Sequence, residues 1–118
     1  LTIDIAKEKE LDYPEHGFTD SLIIDMGNKT IECHFMGAAH TLDNTVVWIP
    51  SEKFLFAGCV LKGLSYKNIG FTDDGDLNEY PKTLNKILAK FPDAEIVVPG
   101  HGKYGGVDLI HHNLNLVK

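Results

Sequence analysis

Apolar positions recur along this chain with two different periods, and the switches between them mark out its elements. Residues 1–11 follow a helical period, with Ile3, Ala6 and Leu11 on one side and Lys7, Glu8, Lys9 and Glu10 on the other. Tyr13-Pro14 breaks that helix. From Ser21 the period shortens to two. Residues 21–26 and 30–36 flank Gly27-Asn28, which predicts a hairpin closed by a short turn. Residues 44–49 and 54–57, rich in β-branched and aromatic side chains, predict a second hairpin whose first strand stops at Pro50. In this reading His40 precedes the first strand of that hairpin and Cys59 follows the second.

Residues 63–76 sustain no period and predict a loop. Over residues 78–91 the helical period returns. Leu84, Ile87, Leu88 and Phe91 form one stripe, Lys82, Lys86 and Lys90 lie opposite, and Pro92 ends the helix. Residues 95–98 predict a short buried strand capped by Pro99-Gly100-His101-Gly102, and a last helix is expected over 108–117. The order helix, four strands, helix, strand, helix predicts one domain of the α/β (α+β) class, with helices on one face of a mainly antiparallel sheet.

A length of 118 residues bounds the chain at one domain. Its 43% hydrophobic and 24% charged residues are ordinary for a globular protein and exclude a disordered or low-complexity class. A net charge of -6 argues against a nucleic-acid-binding surface, which needs clustered basic groups. No apolar run approaches the roughly 20 residues of a membrane span. The opening Leu1-Thr2-Ile3-Asp4 lacks an initiator Met, a basic leader and an apolar run, so the expectation is a removed signal peptide or a start inside a larger protein.

The chemistry concentrates in short stretches. His40 follows Gly37-Ala38-Ala39, where small residues allow close backbone approach, and Thr41 or Asp43 could orient its ring; a plain loop histidine beside a turn-forming Asp-Asn reads equally well. Cys59, between Gly58 and Val60, is a thiolate candidate or a small buried hydrophobe. Its pairing with Cys33 and its use as a metal ligand exclude each other, and the surrounding histidines favour zinc. Lys62, close after Cys59, suits a substrate carboxylate as a compact charge, or is a solvated surface lysine. His111 and His112 are neighbours on the last helix and point about 100° apart, so spacing does not choose between them. His101, flanked by glycines, is either metal-like or a loop-capping histidine. No H-x-H-x-D or H-E-x-x-H cluster completes a zinc site, which needs about three protein ligands. Nucleophile-elbow, dinucleotide-binding and P-loop patterns are absent too. The sequence reads as half of an active site.

The runs H-T-L-D-N-T-V-V-W-I-P, F-A-G-C-V-L-K, V-V-P-G-H-G-K-Y-G-G and L-I-H-H-N-L, in that order, resemble the C-terminal half of the metallo-β-lactamases, in the dizinc subclass with a cysteine in its second site. The resemblance implies half of a four-layer αββα sandwich. It implies zinc as cofactor, with His40 in the first, all-histidine site and Cys59 and His112 in the second, and Lys62 holding the carboxylate of a β-lactam. It gives His101 a structural position beside the site. It also implies hydrolysis of the lactam amide by the complete protein, in the periplasm or secreted. The H-x-H-x-D segment of the family's N-terminal half is missing, and Phe71 stands where an asparagine usually helps to hold the lactam carbonyl. The expectation is a partner for the open sheet face, either a complementary N-terminal half or a homodimer mate. The alternative is an inactive zinc-binding or self-associating fragment, with a thioesterase- or glyoxalase-type substrate further off, since those relatives usually carry aspartate where Cys59 stands.

Overall fold

The computed structural model describes residues 17–70 and 72–117. The helix expected over residues 1–11 and the position of Phe71 lie outside the described residues. One five-stranded sheet runs in the order β1 (Ser21–Asp25), β2 (Thr30–His34), β3 (Val46–Ile49), β4 (Phe54–Lys62) and β5 (Ile96–His101). Helix α1 (Tyr80–Lys90) connects β4 to β5, and α2 (Asp108–Leu116) follows. The first four strands pair antiparallel, and β5 pairs parallel with β4. A parallel neighbour requires a long crossover, which α1 and its flanking loops supply.

The local chemistry explains most of the elements. Gly27 takes a positive φ of 93° in the β1–β2 turn, where its N–H donates to Asp25 Oδ1. The stripe on α1 packs inward as its spacing predicts, with Leu84 and Ile87 fully buried, while Lys82, Lys86 and Lys90 face outward. Leu55, Ala57 and Val97 of the sheet meet Leu84, Ile87 and Phe91 of α1 and Leu109 and Ile110 of α2 in one core.

Both strands that carry candidate ligands run further than the hydropathy pattern indicates. β4 continues past Ala57 through Cys59 to Lys62, because Val60 and Leu61 are buried there. Gly58, at a φ of 58°, lets the strand shift register instead of ending. β5 runs through Pro99 to His101, since an edge strand tolerates a residue without a backbone N–H.

The opposite sheet face is apolar from edge to edge. Leu22, Cys33, Val47, Phe56 and Val98 form one register row across all five strands, and Ile49, Phe54 and Ile96 part of the next. Phe56 and Ile96 remain 44% and 37% exposed, so this face has no full cover among the described residues. Truncating a stripe residue tests the helix-covered core. Leu84→Ala should lower the unfolding free energy by about 2–5 kcal/mol in urea denaturation, and Lys86→Ala should stay within about 0.5 kcal/mol.

Candidate metal centre

His40 sits in the β2–β3 connection, which Asn44 ties into a fixed shape. Asn44 Oδ1 accepts from the Thr41 N–H at 2.7 Å and the Thr41 hydroxyl at 3.0 Å, and its Nδ2 donates to the carbonyls of Gly37 at 2.9 Å and Thr41 at 2.8 Å. The Thr83 hydroxyl on α1 donates to the Ala38 carbonyl at 2.7 Å. Gly75 presses on the same connection, since a Cβ there would lie 2.1 Å from the Ala39 carbonyl oxygen. The sequence placed Asn44 in a turn-forming Asp-Asn pair at the start of a strand, and its four hydrogen bonds are a further role.

The His40 Nδ1 is buried and has no hydrogen-bond partner among the described residues. Burial chiefly, and then the positive charge of Lys62, hold the His40 pKa below its ordinary 6.5, with Asp74 opposing and His101 adding to the lowering. A neutral imidazole with an unpartnered nitrogen has the protonation state that metal ligation requires. His40, Thr41 and Asn44 share a cleft of about 340 Å³ with Gly58, Cys59 and Val60.

Cys59 is a free, half-buried thiol rather than half of a disulfide with Cys33. Its Sγ lies 3.9 Å from His101 Nε2. Tetrahedral zinc with Zn–S near 2.3 Å and Zn–N near 2.0 Å separates two such ligand atoms by about 3.6 Å, so this pair suits two corners of a zinc site. The parallel β4–β5 register creates the juxtaposition, because it brings Lys62 opposite His101 at one end of the sheet. Gly100 permits the close approach, since a Cβ there would lie 2.7 Å from the Cys59 nitrogen.

His112 goes elsewhere. Its Nε2 donates to the Tyr66 carbonyl at 2.7 Å, and the imidazole that the structure brings to the thiol is His101. His111 is exposed and lines a groove between α1 and α2 with Pro81 and Asn85. Lys62 is 6% exposed and has no ion-pair partner among the described residues. Its N–H donates to Asn113 Oδ1 at 2.9 Å, and its carbonyl accepts from Asn113 Nδ2 at 2.8 Å. The Tyr80 hydroxyl donates to the Val60 carbonyl at 2.7 Å, and burial, then Cys59, raise the Tyr80 pKa so that it remains a donor. Sequence reasoning missed both. Among the described residues no three His, Cys, Asp or Glu side chains converge on one point. Cys59 and His101 therefore fit two positions of a zinc ligand set, and the described residues bring no third ligand to that point.

No protein-family model matches the chain. It is 51% identical over 117 residues to a metallo-beta-lactamase type 2 of Bacteroides fragilis, covering 99% of this chain and 47% of that protein. It is 34% identical over 118 residues to a metallo-beta-lactamase type 2 of Bacillus cereus, covering 100% of this chain and 46% of that one. Its fold is similar to a solved metallo-beta-lactamase from Pontibacter korlensis, with a TM-score of 0.89, 37% identity, and coverage of 97% of this chain and 53% of that one. The chain spans about half the length of the curated relatives it matches.

The lowered His40 pKa fixes the sign of a pH effect. Between that lowered value and 6.5 the unfolded chain holds a proton that the folded chain excludes, so stability rises with pH across the window and levels off above it. In metal-free protein, the thermal midpoint should fall as pH drops from about 7 to about 5, and His40→Asn should make that slope shallower.

Proposed function

Because this chain is homologous to the metallo-β-lactamases over its whole length, we propose that it supplies one wall of a zinc site that hydrolyses the amide bond of β-lactams in the complete protein. The observation that carries this reading is the Cys59–His101 pair at 3.9 Å, beside a buried lysine with no carboxylate partner among the described residues. In it His101 takes the place beside Cys59 that the resemblance assigned to His112, and His40 serves a neighbouring metal position. When bound, zinc supplies Lewis acidity toward a carbonyl and toward water.

The chain's own residues then have separable tasks. Cys59 and His101 hold metal from adjacent strands, and His40 offers a neutral imidazole from a loop fixed by Asn44. Lys62 binds the substrate carboxylate, and its burial strengthens that attraction relative to an exposed lysine. The open apolar sheet face supports a second sheet as partner, in the manner of a complementary N-terminal half. A second reading, a zinc-binding chain that associates with itself and does not hydrolyse, is favoured by the same open face and by the incomplete ligand set among the described residues.

Mixing the chain with the matching N-terminal half of the Bacteroides fragilis relative separates the two. The proposal expects zinc-dependent turnover of a chromogenic β-lactam by the mixture and none by either half alone. Zinc bound by dimers of this chain, with no turnover in any mixture, would favour the second reading. Zinc titration by calorimetry checks the ligand assignment. Cys59→Ser and His101→Ala should each weaken binding at least about tenfold, and His112→Ala should leave it within about threefold.

A further inference from the structure

β4 loses its sheet partners where its chemistry begins. Its registered pairs with β3 end at Phe56, and its pairs with β5 fall at Gly58 and then only at Lys62. The Cys59–Leu61 backbone therefore has no register partner in the sheet among the described residues. Side chains from the helices bond the β4 backbone here, Tyr80 at Val60 and Asn113 at Lys62. Tyr80, fully buried at the start of α1, donates to the Val60 carbonyl at 2.7 Å and lies 3.5 Å from the Cys59 carbonyl. Asn113, fully buried on α2, makes the paired 2.9 and 2.8 Å bonds to the N–H and carbonyl of Lys62.

Apolar side chains of similar size would fill the same core volume without polar atoms that need satisfying. The Tyr80 hydroxyl and the Asn113 amide both bond the backbone between the thiol and the ammonium, and Asn113 Nδ2 also donates to the Leu109 carbonyl at 2.8 Å. From this we infer that Tyr80 and Asn113 are positioning residues, which bond the β4 backbone beyond its last pair with β3 and hold Cys59 and Lys62 at the spacing the site needs. Outer groups that orient metal ligands typically change metal affinity by about 10–100-fold when removed. The inference rests on the reading of Cys59 as a metal ligand.

Cobalt(II) binding to the 118-residue chain tests it without an activity assay. A bound thiolate gives a sulfur-to-cobalt charge-transfer band, which Cys59→Ser should abolish. Tyr80→Phe keeps the ring and removes the hydroxyl. It should weaken cobalt affinity about tenfold and diminish the band, with far-UV circular dichroism unchanged. Leu84→Val, which loosens the packing of α1 and touches no β4 carbonyl, should keep the wild-type affinity. Asn113→Ala releases the other end of the segment, should weaken the band in the same direction, and carries the test if Tyr80→Phe does not fold.

A wild-type band with unchanged affinity in the folded variants would overturn the inference and leave the zinc reading standing. An equal loss in Leu84→Val, or loss of fold in both Tyr80→Phe and Asn113→Ala, would also overturn it, because the two residues would then determine folding and not position. A wild-type chain with no thiolate band would overturn the zinc reading and this inference together.

Discussion

The parallel pairing of β4 with β5 is the constraint on which the site depends. Two parallel strands bring their C-terminal ends to the same edge of a sheet, which is where α/β folds collect their ligands. Here those ends are Lys62 and His101, paired in register, with Cys59 just upstream. Had β5 run antiparallel, His101 would lie at the far end of the strand from Lys62. The crossover through α1 makes the pairing possible, and Gly100 lets the two backbones come close enough to set thiol against imidazole.

The rest of the chain secures that arrangement from both sides. α1 contributes Leu84 and Ile87 to the core and sends Tyr80 to the β4 backbone, and its Thr83 steadies the connection that carries His40. α2 contributes Leu109 and Ile110 and sends Asn113 to Lys62. Helical faces that bury apolar area also deliver the few polar groups that fix the site. The other sheet face has no such cover among the described residues, and one apolar row crosses all five of its strands.

Much of the fold was legible from periodicity. The β1–β2 hairpin, the α1 stripe, the final helix and the order of elements from β1 onward follow from alternation, turn glycines and lysine spacing. The limits of β4 and β5 were not legible. Gly58 and Pro99 read as strand ends, yet Gly58 serves a register shift and Pro99 sits on an edge strand that does not need its N–H. Ending β5 at Val98 placed His101 in a loop, open to a metal-like or a capping reading, and spacing did not choose between His111 and His112. The roles of Asn113 and Tyr80 depend on which backbone groups lack partners, which no local pattern records.

Zinc-edge X-ray absorption on the zinc-loaded 118-residue chain decides whether Cys59 holds metal together with imidazole, as proposed. A sulfur scatterer near 2.3 Å is expected, together with imidazole nitrogens near 2.0 Å. A shell of nitrogen and oxygen alone, with no sulfur, would contradict it.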